Sequence, residues 1–569
     1  MGSGIFRKLK TVLFAALPFA GAVFLLWYIR SASADVVYSD YIRLVVEYLP
    51  DVTDPSRFLV PDILTRTPAM FPERLINTKL FGFSVNFDRV LCVAGLFMTA
   101  MAVCVYSLRK NIHFVIYAVI MAVVFSLNKW EILLNGTSWP HLVTFGFFFW
   151  NYLLIDIYEE KWRSKGSSGK CGMPGLSLRA ALIMMPLVIM LFAGEYIASY
   201  AVTMLLFCIF RMITKKTGFG KNGGNTKKDN GASAKLNVCG CGLSAVSETD
   251  GHGNVCTASV GIYPAVFATA LAALGLYILS RHFAVWEYAG STDISFMEAV
   301  MTMPGFFVRF FVKTFTGTVI GVETISGFNN GNGMPDALVI LIGLAVIAAY
   351  MLAAALYLCL RLYKKTIFPM LLLLSGFMNH GLITMARWIF LRESYAMSSR
   401  YCGQFMIGII GILLIFGLAV DEIRAAGDRS EDKKVAGKQE ADKSNTDNRR
   451  SDKSRADNGG TDKERTDGGV LINHVRTASG ICARPVWIYA AAAAFSAMIL
   501  IGNLYTTKDE IAKAPYREAN YELMMQMLLH CDDYSEEELC RMLEWHKDPA
   551  ELYKAIDILR DNELNVFRK

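Results

Sequence analysis

Apolar residues in this chain fall in blocks of roughly twenty, the length a helix needs to cross a hydrocarbon layer about 30 Å thick. The blocks place spans at 9–29, 89–108, 112–128, 140–156, 179–194, 196–213, 259–281, 337–360, 367–390, 403–420 and 486–503. The expected fold is therefore all-α, a polytopic transmembrane helix bundle of about eleven spans. The first block follows Arg7, Lys8 and Lys10 and precedes Ser31-Ala32-Ser33-Ala34, the flanks of a cleaved signal peptide. It is longer than the usual signal core of roughly 7–15 residues, so an uncleaved span is expected.

Basic residues in the short loops orient the bundle. Lys10, Arg109, Lys110, Lys161, Lys165, Lys215, Lys216, Arg361, Lys364 and Lys365 all fall on one side of the expected spans. The positive-inside bias makes that side cytoplasmic, with the N-terminus inside and the C-terminus outside. This predicts a multi-pass protein of the cell membrane. Residues 304–325 resist the scheme. They are apolar but carry Arg309 and Lys313, four apart on one helical face. A charge at the bilayer centre costs about 2.5–3.5 kcal/mol, so an amphipathic or re-entrant outer helix is expected, a twelfth span being the alternative.

The polar remainder divides the chain. Residues 1–420 form the transmembrane core, including an outer loop at 30–88. Residues 421–484 are rich in Asp, Lys, Ser, Asn and Gly and read as a disordered cytoplasmic linker. Residues 485–569 hold the last span and a helical outer tail, in which Leu523, Met527, Leu539, Leu543, Leu552, Ile556 and Leu559 recur at helical spacing.

Composition agrees with the pattern. Of 569 residues, 54% are hydrophobic and only 19% charged, against about a quarter charged in soluble domains. The net charge of +7 lies mostly in those short loops, where it sets topology rather than binding nucleic acid. Twelve cysteines include no CxxC pair, so no disulfide framework is expected. Cys531 and Cys540 lie on the outer side, where a disulfide is open. Cys239, Cys241, His252 and Cys256 match no usual zinc spacing; no metal site is expected, and any need for a divalent ion is left open. No phosphate-binding loop is found, which argues against an ATP-driven pump.

Three outer constellations carry candidate chemistry. Asp35, Tyr38, Asp40, Arg43 and Glu47 follow the first span; a carboxylate there suits a general base, although from spacing alone plain solvation of an exposed helix start is the preferred account. Glu131 lies in the short turn between spans three and four, flanked by Trp130 and Trp139. The tryptophans read as an interfacial belt, the carboxylate as a second candidate base. Arg387, Arg392 and Arg400 occupy the turn between spans nine and ten, against the inside bias for cations. Guanidinium groups grip phosphate in fork geometry, and His380 in span nine points to the same half of the membrane. Snorkelling to headgroups, or an Arg392–Glu393 pair, is the plainer account.

The layout resembles the C superfamily of membrane glycosyltransferases, a GT-C-like plan of acidic first outer loop, many spans and outer C-terminal segment. The strings Asp54-Pro55-Ser56-Arg57-Phe58-Leu59-Val60-Pro61, Trp130-Glu131-Ile132-Leu133-Leu134-Asn135-Gly136 and Ala396-Met397-Ser398-Ser399-Arg400-Tyr401 are similar to those of a bacterial branch with this plan. The resemblance covers about residues 1–420. It implies transfer of a sugar from a polyprenyl-phosphate donor to a cell-surface glycan or lipid-linked acceptor. Asp40, or Asp35 in its place, and Glu131 would be catalytic; Arg392, Arg400, Arg387 and His380 would bind donor phosphate. The usual paired acidic dipeptide after span one is absent. Beyond the sugar donor no cofactor is implied, and the partners are membrane lipid, donor and acceptor. A transporter or flippase of a lipid or glycan precursor, or a non-catalytic assembly protein of the same fold, are the alternatives.

Overall fold

The computed structural model describes residues 2–49, 52–55, 67–166, 175–216, 262–282, 294–328, 331–451 and 485–568. The described residues are all helical, and ten helices are long and apolar enough to cross a membrane. In chain order come α1 (Gly2–Ala32), α2 (Asp40–Tyr48), α3 (Met70–Ile76), α4 (Val85–Lys110), α5 (Phe114–Val124), α6 (Trp130–Asn135) and α7 (Trp139–Gly166). Then follow α8 (Leu176–Ala193), α9 (Tyr196–Lys216), α10 (Ile262–His282), α11 (Phe296–Thr302), α12 (Pro304–Thr316), α13 (Val322–Ser326) and α14 (Asp336–Cys359). The chain continues through α15 (Phe368–Arg387), α16 (Ser399–Ser451), α17 (Pro485–Leu529), α18 (Glu536–Met542) and α19 (Pro549–Asp561).

Eleven spans were expected and ten meet the length and hydropathy measure. The difference is α7, where the pattern placed 140–156. It is a 28-residue helix in the heart of the bundle, but its aromatic and polar side chains lower its hydropathy. His141, Thr144, Asn151 and Asp156 are all buried. Asn151 and Asp156 find partners there: Tyr200 donates to Asn151 Oδ1 at 2.9 Å, and Thr366 Oγ1 and the Ile367 amide donate to Asp156 Oδ1 at 2.8 and 2.7 Å. A helix facing protein rather than lipid need not be hydrophobic all round.

Small residues set the helix spacing. A Cβ on Gly95 of α4 would sit 2.5 Å from the Leu142 carbonyl carbon of α7, so this contact admits only hydrogen. Gly376 of α15 and Gly408 of α16 meet likewise, a Cβ on the first lying 2.3 Å from the second's backbone. Lipid tails supply no hydrophobic drive between spans, so such close approach is what holds them.

The basic loops gather at one end of the bundle. Lys110 reaches Glu160 at 3.0 Å and Asp156 at 3.6 Å, Lys10 reaches Asn111 at 3.4 Å, and Lys365 pairs with Glu422. At the opposite end lie α2, α3, α6, α11 to α13 and α18 to α19.

Residues 304–325 do not form a single long helix. Helix α12 has 13 residues, about 20 Å at 1.5 Å per residue, and the chain turns at Gly317 into α13. Arg309 and Lys313 converge on Glu393 at 2.7 Å each, and Lys313 also meets Asp336 at 2.5 Å. The turn is stitched down by Asn128, which donates to the Gly317 carbonyl at 2.7 Å, and by Asn503 and Thr506 of α17.

Helix α16 runs on to Ser451, through the first part of the expected linker. Its Asp, Glu, Lys, Ala and Gln content includes several strong helix formers. Residues 452–484 lie outside the described residues, as do the four zinc candidates and most of the 54–61 string. Helix α17 has 45 residues, about 68 Å, and so projects well past a bilayer. Cys531 and Cys540 are both free thiols, so no disulfide joins them; Cys531 is buried and receives Arg560 Nη2 at 3.0 Å.

Gly95→Val should therefore destabilise the bundle by about 1–3 kcal/mol. Heating in detergent followed by size exclusion should show loss of the monodisperse species at lower temperature than for the native chain.

Candidate functional site

The site end is organised by one buried carboxylate. Asp88, in the first turn of α4, accepts from Tyr41 Oη at 2.7 Å, from Arg74 Nη1 at 2.8 Å and from Asn77 at 3.3 Å. Asp88 and Arg74 are fully buried. Glu73 adds a carboxylate 3.3 Å from Arg74 Nε. Burial pushes the Glu73 carboxyl well above its usual range, while Arg74 pulls it down. Burial also raises the Tyr41 phenol, reinforced by the Asp88 charge. Tyr41 Oη lies where a Cβ on Gly136 would meet it at 2.6 Å, and Gly136 has φ +76°, so this cramped turn requires glycine. Asp88 thus ties α2 and α3 to α4, with the end of α6 packed against them.

Asp40 is the neighbour of Tyr41 and opens α2. Before it, Ser39 takes φ 49°, a left-handed conformation costly for a side-chain-bearing residue. The Ser39 amide donates to the Leu543 carbonyl at 2.8 Å. The next residue, Glu544, is itself left-handed at φ 53°. One backbone hydrogen bond therefore sets Asp40 and Glu544 beside each other, from opposite ends of the chain.

Arg400 joins these parts. Its Nε donates to Glu131 Oε1, and its Nη1 faces Asp40 Oδ2 at 3.7 Å, too long for a hydrogen bond. Glu131 Oε2 accepts from Ser399 Oγ at 3.0 Å and from Ser398 Oγ at 3.3 Å. Glu131 is thus fully engaged, whereas Asp40 is held loosely and is partly exposed. Glu544 lies within electrostatic reach: desolvation pushes its carboxyl above the usual range, Arg400 pulls it back, and Glu131 and Asp40 raise it further. Beside Glu131, Arg517 of α17 lies flat on Trp130, 3.4 Å from the ring centre. Both line a groove of about 450 Å³ with Lys513, Tyr516, Asn520, Tyr521, Met524 and Glu544.

Of the residues singled out from sequence, Asp40, Glu131 and Arg400 come together. Asp35 does not. Its Oδ1 accepts from the Val85 amide and its Oδ2 from Ser84 Oγ, each at 2.7 Å, so it serves the N-terminus of α4. His380 is buried between Phe315 and Phe405, ring centres 3.7 and 4.2 Å away, with Nδ1 against Thr314 Oγ1 at 2.8 Å. Arg387 is half-buried, its guanidinium 5.7 Å from the Tyr401 ring centre. Arg392 is exposed, and Glu393 pairs instead with Arg309 and Lys313. Glu544 and Arg517 escaped the sequence reading, being single charges in an amphipathic tail and a long helix. Among the described residues no group of three or more His, Cys, Asp or Glu is arranged to hold a metal ion.

Arg74→Met leaves Asp88 and Glu73 as uncompensated buried acids, so about 3–5 kcal/mol of stability should be lost. Limited proteolysis in detergent should cut the 30–88 loop faster than in the native chain.

Searches with this chain against protein-family models, curated proteins and solved structures returned no match.

Proposed function

We propose that this protein is a membrane glycosyltransferase that moves a sugar from a polyprenyl-phosphate donor to a glycan or lipid-linked acceptor at the outer face of the cell membrane. The convergence of Asp40, Glu131 and Arg400 carries the reading. A loosely held carboxylate and a guanidinium with Nη donors to spare stand together at a membrane surface, which glycosyl transfer from a lipid phosphate requires.

The roles follow from how each group is held. Asp40 is the better base, because Glu131 spends its oxygens on Arg400, Ser398 and Ser399. As the acceptor oxygen bonds to the anomeric carbon, Asp40 takes the acceptor's proton. The bond from that carbon to the phosphate oxygen breaks, and its electron pair leaves with the lipid phosphate. Arg400 stabilises the negative charge that develops there. Glu131 fixes the guanidinium plane and is a positioning residue.

Asp40→Asn should lower sugar transfer in isolated membranes by about 10²–10⁴-fold with expression unchanged. Glu131→Gln should lower it less. Normal transfer by Asp40→Asn would remove the base and overturn the reading.

Orientation is tested separately. In a cysteine-free background, Asp40→Cys and Tyr516→Cys should react with an impermeant maleimide on intact cells, and Lys364→Cys only after permeabilisation. The reverse pattern would put the site in the cytoplasm.

A further inference from the structure

The groove beside Glu544 is not used by the chemistry above, and its construction narrows what fits it. It lies along 513–524 of α17, past the most apolar part of that helix, and its walls combine the rings of Trp130, Tyr516 and Tyr521 and the side chain of Met524 with the polar groups of Lys513, Arg517, Asn520 and Glu544. Tyr516 is 80% exposed and Arg517 covers a face of Trp130. Flat aromatic surfaces edged by hydrogen-bonding groups suit the faces of sugar rings.

Charge narrows it further. Lys513 is matched by Asp509 at 2.6 Å and Glu510 at 3.4 Å, and Arg517 by Glu510, with Tyr28 Oη at 2.7 Å. The two cations are thus balanced. The Glu544 carboxylate makes no hydrogen bond or ion pair among the described residues, so it is the carboxylate left over, and an anionic glycan would be repelled. Glu544 is also held in the left-handed backbone region, a strain that concentrates at functional positions.

We propose that this groove binds a neutral carbohydrate chain, with Tyr516 and the Arg517–Trp130 pair as its platform and Glu544 accepting a hydrogen bond from a sugar hydroxyl. That the chain is the acceptor rests on the glycosyltransferase reading; that it is a neutral glycan does not. The Ser39–Leu543 hydrogen bond puts Glu544 next to Asp40, so a hydroxyl held by the first lies close to the second.

Saturation-transfer NMR on the full chain in nanodiscs, with short neutral glucans, mannans and galactans and with oligouronates as probes, tests the site. At least one neutral series should receive saturation and the oligouronates should not. Tyr516→Ala and Glu544→Gln should each weaken binding about tenfold, or ~1.4 kcal/mol; Tyr516 is too exposed for its loss to unfold the protein. Asp40→Asn should bind normally while failing to transfer. No saturation with any neutral series, preference for uronates, or equal binding by both groove variants would overturn the proposal. Binding that survives alongside normal transfer by Asp40→Asn would instead overturn the catalytic reading and leave the groove standing.

Discussion

The buried carboxylate of Asp88 is the constraint on which the site end depends. An ionised group taken out of water is tolerated only when paired and hydrogen-bonded. Asp88 finds Arg74, Tyr41 and Asn77, which belong to different parts of the first outer loop. It also stands in the first turn of α4, where the unpaired amides favour a negative charge. Because Tyr41 is bound, its neighbour Asp40 is fixed. Because Gly136 must give way to Tyr41, the turn after α6, and with it Glu131, is fixed too. The catalytic geometry proposed here is thus inherited from a pair that touches no substrate.

Much of this architecture was legible in the chain. Twenty-residue apolar blocks name the spans because lipid demands that length, and the loop lysines sort the two ends because they do gather together. Asp40, Glu131 and Arg400 could be picked out because each charge stands beside an apolar run where solvation is poor. Asp35 passed the same filter for a different reason: it caps α4, and a capping aspartate and a catalytic one look alike in sequence. A helix at α7 was legible although its hydropathy falls short of that of the ten candidate spans, since length and flanks remained even where His141, Asn151 and Asp156 are buried.

What could not be read was pairing across long separations. Arg309 and Lys313 made residues 304–325 look wrong for a membrane; Glu393, about eighty residues on, resolves it by taking both. Arg392–Glu393 was the obvious pair by adjacency, but α12 brings better-placed partners. Ser39 and Leu543 are joined by a backbone hydrogen bond, which leaves no trace in side-chain chemistry. Glu544 therefore had no signal at all, although it stands with Asp40 and Glu131 once the tail is docked.

The distribution of charge bears on mechanism. The ion pairs of the described residues lie toward the two ends of the bundle: Lys110 with Asp156 and Glu160 at one, Arg400 with Glu131 and Asp40 at the other. Between them the buried polar groups are mostly neutral amides and hydroxyls such as Thr99, Asn151, Thr203, Ser375 and Asn379, with His380 and Lys129 among the ionisable members. Carriers of charged solutes need ionisable groups along their path, usually where helices break at the midplane. Here α4, α7, α15 and α16 run unbroken through the centre and pack on glycine, while the span that begins with α5 breaks at Phe125 before α6. The Arg400, Glu131 and Asp40 cluster held at one end of the bundle suits chemistry performed there, because preorganised groups need not move as charge develops on the substrate.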